Sequence, residues 1–453
     1  MPLSFEPANF KRPRSRWPKA NEPFALGLIV GCLLGLSACS QPLPAPIDAT
    51  DNAKSGSTSD PKTVTILGQF SGKQQEHFEK TLVPFEEEHG IDVIYEATDN
   101  FSTLLNMRIT SFAEPDLVVL PQPGLMADLA REGLLVPLTE VIDTKALRQS
   151  YPDAWLDLGR VDDVPYGLWY RVSVKSLVWY RPTAFEDKGY DIPRTWAEMM
   201  ALSDRIVADG GTPWCIGLES GAASGWPGTD WIEDIMLRTA GPEAYRQWIS
   251  HELPFNSPIV LNAFQEFGKI LRNPKYVSGG TAKAIATPYG DSISGIFSNP
   301  PECYLHRQAN FISAFLPEDK SPRVDYDAFL LPGMSEQFGS PLLVAGDAVA
   351  MFHKTPEAEK LMQYLASPEP HIIGAQLGGF ISPQQQVPLE EYPDLVSQNV
   401  AQILADADVI RFDASDMMPG FVGSDAFWDG MMDFAAGKSA EDITKEIDRN
   451  WPK

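Results

Sequence analysis

Tryptophan and carboxylate side chains share a glycine-rich segment at positions 219–231, and a further tryptophan follows near the carboxyl end. The candidates for binding chemistry are Glu219, Trp226, Asp230, Trp231 and Trp428. An indole ring can stack on the apolar face of a sugar, whereas carboxylates hydrogen-bond its hydroxyl groups. These residues predict a site for a small neutral sugar. Two alternatives stay open: tryptophans also serve as core residues, and Asp230 with Glu233 fits a capping box at a helix start.

Further candidates follow predicted strands, at the sheet edge where ligands bind in open α/β folds. They are Gln69, Asp99, Gln122, Arg307, Gln308, Gly346, Asp347 and Gly379. Lone amides such as Gln69 and Gln122 are equally often structural, and Arg307 could instead pair with an acidic neighbour. Gly379 would let the backbone approach a ligand closely, with a hinge or a packing role as the alternative.

Signatures of catalysis and of metal binding are absent from the sequence. It has no phosphate-binding loop, GxSxG, HExxH, EF-hand or GxGxxG motif, and its six histidines show no metal-ligand spacing. We therefore predict no enzyme activity, no metal and no cofactor. The alternative is an exported glycoside hydrolase, whose paired carboxylates need no local motif, with Glu219 and Asp347 as a conceivable pair.

Strand-like and helical segments alternate along the first half of the chain. The predicted strands are residues 64–67, 91–95 and 117–120, and the predicted helices end at Gly90 or span 101–112 and 125–132. A second such unit is predicted after Pro165, with strands at 176–180 and 214–218 and a helix that begins at Thr195. A loose, glycine-rich segment at 219–231 follows the strand 214–218, and two further strands are predicted at 342–345 and 348–352. This alternation predicts an α/β fold with parallel strands.

The amino-terminal residues are typical of an exported lipoprotein. A basic cluster precedes the apolar stretch 24–36, which is too short to span a bilayer, and Cys39 follows small residues as in a lipobox. We predict a signal peptide at 1–38, and a lipidated Cys39 with a flexible tether at 39–61. The protein would lie in the periplasm or another extracytoplasmic space, anchored to the membrane at Cys39. Cys215 and Cys303 could then form a disulfide or remain as two buried thiols.

Charge limits the possible partners. The chain carries 61 acidic and 36 basic side chains, for a net charge of −25, which excludes nucleic acid as a partner because duplex binding depends on Lys and Arg. An acidic surface also suits a neutral ligand better than an anionic one.

Several segments, taken in order, resemble a known family. Residues 115–120, 129–138, 193–198 and 426–428 are similar to the extracellular sugar-binding proteins of ABC importers, the class that includes maltose-binding protein. Residues 213–220, 225–231 and 303–309 resemble its α-glucoside subgroup, which binds sucrose, trehalose or the compatible solute glucosylglycerol. Trp428 matches a sugar-stacking tryptophan of the family.

The resemblance implies a two-lobe periplasmic-binding-protein fold with crossover hinge strands and a ligand cleft between the lobes. Lobe 1 would comprise residues 62–172 plus 333–370, and lobe 2 residues 173–332 plus 371–453, with hinges around 171–174 and near Pro332. A monomer would close over the sugar and deliver it to a permease coupled to a separate ATPase. A surface adhesion protein, which would need an extended apolar patch instead, is the third alternative.

Overall fold

The computed structural model describes residues 62–98 and 100–452. The predicted signal peptide (1–38), Cys39 with its tether (39–61) and the candidate Asp99 lie outside the described residues.

The strands run in chain order as follows: β1 (Lys62–Gly68), β2 (Ile91–Ala97), β3 (Leu117–Leu120), β4 (Arg160–Val161), β5 (Val164–Pro165), β6 (Leu168–Val174), β7 (Leu177–Tyr180), β8 (Leu305–Arg307), β9 (Asp327–Leu330), β10 (Leu342–Met351) and β11 (Ile410–Phe412).

The α-helices are α1 (Gly72–His89), α2 (Phe101–Thr110), α3 (Pro123–Arg131), α4 (Thr144–Ser150), α5 (Asp153–Leu158), α6 (Pro182–Lys188), α7 (Trp196–Ala208), α8 (Trp226–Ile249), α9 (Pro258–Leu271), α10 (Gly280–Ala286), α11 (Pro356–Ala366), α12 (Pro368–Leu377), α13 (Leu395–Ala405), α14 (Ala414–Met417), α15 (Trp428–Ala436) and α16 (Ala440–Asn450). Short 3₁₀ helices cover Leu138–Glu140, Gly221–Ala223, Ser292–Phe297, Asn310–Phe315 and Leu389–Glu391, and a π-helix covers Phe421–Phe427.

The larger sheet has the strand order β11–β10–β3–β1–β2, and β6 also pairs with β10. Strand β1 pairs in parallel with β2 and β3, whereas β10 runs antiparallel to β3 and β6. Consecutive residues such as Ile66 and Leu67 point to opposite faces, and each face contacts its own apolar core. Because both faces are covered there, strand β3 is apolar throughout, as predicted for residues 117–120. The predicted α/β fold class is confirmed.

A smaller antiparallel sheet has the order β8–β7–β9. A third apolar core joins α7, α8, α9, α15 and α16. Strand β6 ends at Val174 and β7 begins at Leu177, so Lys175 and Ser176 connect the two sheets.

Three local predictions were wrong. Residues 342–351 form one strand, β10, whose register shifts between Asp347 and Ala348, instead of two strands. The predicted strand 214–218 makes only isolated bridges, such as those of Trp214. The loose exit over 219–231 gives way to α8 at Trp226, because Gly225 adopts a φ of 108° as its N-cap and a proline stands in the first turn.

Within the described ranges, none of the helices combines the length and apolar character needed to cross a bilayer.

Cys215 and Cys303, which are 88 positions apart in the sequence, form a disulfide with their Cα atoms 5.5 Å apart. A cross-link over a chain segment of this length removes entropy from the unfolded state, typically stabilising a protein by ~2–4 kcal/mol.

We expect reduction of this disulfide to lower the free energy of unfolding by ~2–4 kcal/mol, because the unfolded chain regains the freedom that the cross-link denies it. Urea unfolding with and without dithiothreitol measures the change. The double variant Cys215→Ala/Cys303→Ala is the control and should not respond to the reductant. A wild-type chain whose stability is unaffected by reduction would contradict the assignment.

Candidate ligand-binding cleft

A cleft of about 410 Å³ is lined by residues from the ends of β1 and β3, from β6 and β10, from the start of α8 and from α14. Small-molecule sites typically occupy ~300–1,000 Å³. The cleft is therefore large enough to enclose a small ligand, and its position beyond the carboxyl ends of β1 and β3 is the one expected for a parallel sheet.

Most of the residues singled out in the sequence line this cleft. They are Gln69, Gln122, Glu219, Trp226, Gly346, Asp347 and Trp428. Trp226 opens α8, half-buried, with its ring 5.0 Å from that of Tyr289, and Trp428 opens α15 directly after the π-helix. Two indole rings and two side-chain amides thus share one concave surface, which is the chemistry a sugar requires.

Two buried polar atoms of cleft-lining side chains lack a hydrogen-bond partner. The Gln122 side-chain oxygen and the Trp428 indole N–H have no hydrogen-bond partner among the described residues. Buried polar groups are normally paired, and an unsatisfied one costs ~1–3 kcal/mol. One atom is an acceptor and the other a donor, so a polar ligand or a water could restore hydrogen bonds at both positions.

Three predicted residues are buried behind the cleft instead of lining it. Trp231 is 2% exposed and stacks on Phe267 with the ring centroids 5.2 Å apart, so it belongs to the helical core. Asp230 and Arg307 form an ion pair, in which the Arg307 guanidinium lies 3.3 Å from the Asp230 carboxylate. The alternative open at the sequence level, that Arg307 pairs with an acidic neighbour, agrees with this geometry.

Two more predicted residues lie elsewhere. The Gln308 side-chain oxygen accepts a hydrogen bond from the backbone N–H of Ala309 at 2.8 Å, so it caps its own chain. Gly379 adopts a φ of 70° and lines a separate cavity of about 20 Å³, too small for a sugar. Its positive φ is a conformation that glycine adopts more readily than other residues.

The floor of the cleft is organised around the ammonium group of Lys175. Its Nζ donates to Asp230 at 2.7 Å and to Asp413 at 2.5 Å, and it lies 5.0 Å from the centroid of the Trp226 ring. Carboxylate oxygens of Asp230, Glu233 and Asp413 lie within 4.8 Å of one another, close enough to share one cation. Lys175 supplies that cation.

The ion pairs continue from this floor into the interior. Arg307 contacts Asp230 at 3.3 Å and Asp234 at 2.6 Å, and Asp234 also pairs with Arg238. Arg238 donates to the backbone oxygen of Leu331 at 3.0 Å. A buried chain of alternating charges therefore runs from the cleft to the segment after β9.

The charges of this network balance. Its cations are Lys175, Arg307 and Arg238, and its paired carboxylates are Asp230, Asp234 and Asp413. Burial raises the pKa of Asp230 to about 6 against the pull of Lys175, so it is ionised at neutral pH. Burial would also raise the pKa of Asp413, but hydrogen bonds and the Lys175 charge hold it below its ordinary value.

Glu233 is the additional acid of this network. Burial, and then the neighbouring Asp413 carboxylate, raise the pKa of Glu233 well above its ordinary value. Its Oε1 accepts from the backbone N–H of Ser415 at 3.1 Å, its Oε2 has no hydrogen-bond partner among the described residues, and its carboxyl group lies within 4.8 Å of that of Asp413. A neutral Glu233 satisfies the charge balance of the network.

A second buried pair forms the opposite wall. The Arg171 Nε donates to Asp347 at 2.7 Å, its Nη1 donates to Gln74 at 3.2 Å, and its guanidinium lies 4.2 Å from the centroid of the Phe70 ring. Gln69 donates to the other Asp347 oxygen at 3.5 Å. Asp347 is thus engaged by two side chains, one on each carboxylate oxygen.

Sequence reasoning missed Arg171, Lys175, Asp413 and Asp416, all of which line the cleft. Lys175 had a usable signal: it is the one charged residue of the segment 172–180 and directly precedes the predicted strand 176–180. A charge in such a place is buried and must be paired. Asp413 and Asp416 had no comparable signal, because acidic residues are common in this chain.

We expect Lys175→Met to lower the free energy of unfolding by ~3–5 kcal/mol, because it leaves Asp230 and Asp413 buried without their cation. Urea unfolding measures the loss. Lys80→Met is the matched control: Lys80 forms an exposed pair with Glu76, so its loss should cost ~0.3–0.5 kcal/mol. Equal losses in the two variants would contradict the structural role of Lys175.

The chain is similar to known binding proteins over most of its length. Residues 68–372 match the family described as bacterial extracellular solute-binding protein. The osmoprotective compounds-binding protein GgtB of Synechocystis sp. is 54% identical over 394 residues, covering 87% of this chain and 93% of that protein. The alpha-glucosides-binding periplasmic protein AglE of Rhizobium meliloti is 40% identical over 402 residues, covering 86% and 87%.

Solved structures share the fold. The bacterial solute receptor AcbH matches with a TM-score of 0.76 at 18% identity, covering 86% of this chain and 98% of that one. Maltose-bound MalE3 of T. maritima matches with a TM-score of 0.67 at 18% identity, covering 85% and 98%. The two-lobe binding-protein fold is confirmed by these matches, and the non-enzymatic role by the family and its named relatives. With its cleft, its fold and its relatives in agreement, the chain belongs to the bacterial extracellular solute-binding protein family.

Proposed function

We propose that this protein binds an α-glucoside or a glucosyl compatible solute, such as glucosylglycerol, trehalose or sucrose, and delivers it to the permease of an ABC sugar importer. The observation that carries the proposal is the pairing of Trp226 and Trp428 with amides and buried ion pairs in one cleft. Relatives named for osmoprotective compounds and alpha-glucosides support this ligand class.

The electrostatics of the cleft favour a neutral ligand. Both cations that line it are neutralised within the protein: Arg171 by Asp347, and Lys175 by Asp230 and Asp413. An anionic ligand would therefore meet carboxylates without a free cation to balance its charge. A hydroxylated, uncharged molecule can hydrogen-bond these groups without disturbing the pairs.

The proposed contacts divide by chemistry. Trp226 and Trp428 stack on the sugar. Its hydroxyl groups face the side chains of Gln69, Gln122, Glu219 and Asp347 and the backbone of Gly346. Asp230 and Arg307 act from behind, by holding Lys175 and α8 in place. Asp99 remains a proposed contact on the strength of the sequence alone.

Delivery would follow from a population shift between open and closed states. A sugar that touches both lobes stabilises the closed state, because only that state makes both sets of contacts. We keep the predicted lobe boundaries, 62–172 plus 333–370 and 173–332 plus 371–453, as part of this proposal. The link at Lys175 and Ser176 between β6 and β7 lies beside the proposed hinge.

Membership of an extracellular family supports an extracytoplasmic location. We further propose that a signal peptide is removed, that Cys39 carries the lipid, and that the protein works as a monomer on the membrane surface. Loss of membrane association in Cys39→Ser would test the anchor.

We expect Trp226→Ala and Trp428→Ala each to weaken sugar binding ~10–100-fold, because each removes a stacking surface at the centre of the site. Isothermal titration with glucosylglycerol, trehalose, sucrose and maltose measures the dissociation constants. A bound sugar at ~100 times its dissociation constant should also stabilise the wild-type chain by ~2.7 kcal/mol.

Trp451→Ala is the control, since Trp451 stacks on His251 at 4.4 Å and does not line the cleft. Its affinity should match that of the wild type. Assaying each mixture for sugar loss separates a receptor from a hydrolase. Consumption of the sugar, or no response to any of the four, would overturn the proposal.

A further inference from the structure

Asp416 is a carboxyl group at the cleft without a role in the ion-pair network. It belongs to α14, lines the cleft and is only 7% exposed. Its backbone N–H donates to Asp413 at 3.2 Å. Its side chain forms no hydrogen bond or ion pair with any described residue, although every other buried aspartate on the cleft is paired with a cation.

Packing holds Asp416 at this position. A Cβ atom on Gly124 of α3 would collide with the Met418 carbonyl, and one on Gly423 of the π-helix would collide with the Ser415 carbonyl. Both glycines therefore let their elements lie directly against α14. The backbone on both sides of Asp416 is therefore held by close packing.

Among the residues that the structure describes, the cations that line the cleft are already paired with other carboxylates. Lys175 and the two arginines behind it are matched by Asp230, Asp234 and Asp413, and Arg171 is matched by Asp347. Of the elements that pack on α14, α3 and the π-helix present Gly124 and Gly423 at the closest points, whereas α8 presents the carboxyl groups of Asp230 and Glu233, the latter accepting a hydrogen bond from the Ser415 backbone. An ionised Asp416 would add an unbalanced negative charge beside Asp413.

We propose that Asp416 is a ligand-contacting residue that remains a neutral carboxylic acid, donating a hydrogen bond to one sugar hydroxyl and accepting one from another. This inference rests on the proposed function, whose cleft it completes. A carboxylic acid kept neutral by its surroundings can serve as a donor at neutral pH. Such a donor–acceptor pair favours a ligand with neighbouring hydroxyl groups over one that lacks them.

The surroundings of Asp416 agree with a neutral state. Burial, and next the Asp413 carboxylate, raise the pKa of Asp416 well above its ordinary value, with Asp230 and Asp347 adding to the effect and Lys175 opposing it. A raised pKa means that the neutral form predominates at low pH and is lost as the pH rises through that pKa. Sugar affinity should therefore fall as the pH rises.

The test compares the full-length wild type with Asp416→Asn and Asp416→Ala, titrated with glucosylglycerol and with trehalose at pH values from 6 to 9. Asparagine keeps a neutral donor and acceptor in the same shape, whereas alanine removes both. We expect the wild-type dissociation constant to rise with pH. The Asn variant should stay within a few-fold of the pH 6 wild type at every pH, and the Ala variant should lose ~10-fold or more.

Asp408→Asn is the control, because Asp408 is exposed and does not line the cleft. It should keep both the affinity and the pH profile of the wild type. The Asn variant and the pH profile of the wild type keep the test decisive even if the Ala variant fails to fold.

A flat wild-type profile agrees with a carboxyl group that stays neutral up to pH 9. Binding that strengthens with pH, or an Asn variant that binds ~10-fold or more weakly than the wild type at pH 6, would overturn the neutral-acid role. An Ala variant that folds and binds like the wild type would overturn the contact itself. In each of these cases the wild type still binds sugar, so the proposed function stands. Failure of the wild type to bind any sugar would overturn the proposed function and the role of Asp416 together.

Discussion

The cleft depends on one buried ammonium group. Lys175 sits in the link between the two sheets, with its Nζ within 2.7 Å of both Asp230 and Asp413. A charge removed from water costs several kcal/mol unless its partners are placed well, so the ends of β6, α8 and β11 must meet at this point. The same requirement brings Trp226 to the wall, because it opens the helix that carries Asp230.

The network behind Lys175 extends this constraint through the protein. Arg307 and Asp234 connect the small sheet and α8, and Arg238 ties α8 to the backbone after β9. Side chains held in this way lose little freedom when a ligand arrives, which lowers the cost of binding. A rigid floor with paired charges suits a neutral polyol, whose many hydroxyl groups need donors and acceptors in fixed positions. Because the other buried charges of the cleft are paired, the unpaired carboxyl group of Asp416 is an exception.

The sequence predicted the architecture better than the details of the site. The alternation of apolar strands with helices predicted the α/β fold, because burial on both faces leaves a clear apolar signature in β1 and β3. Trp226 and Trp428 were predicted as cleft residues, and both line the cleft. Trp231, five positions after Trp226, is a core residue. The direction of a helical side chain depends on where the helix begins, and the glycine-rich segment did not reveal that α8 begins at Trp226.

The roles of the charged residues were harder to predict from the sequence. Asp230 and Arg307 are the right residue types for a sugar site, yet they act as partners of other charges, and only the three-dimensional pairing reveals this. Asp413 and Asp416 stand close in sequence and differ only in which of them reaches Lys175.

A crystal structure of the protein with glucosylglycerol or trehalose would test the central claim most directly. We expect the sugar to lie in the cleft above Lys175, with a ring face against Trp226 or Trp428 and a hydroxyl group within hydrogen-bonding distance of Asp416. A sugar bound at any other surface, or one in the cleft that leaves both tryptophans uncovered, would contradict it.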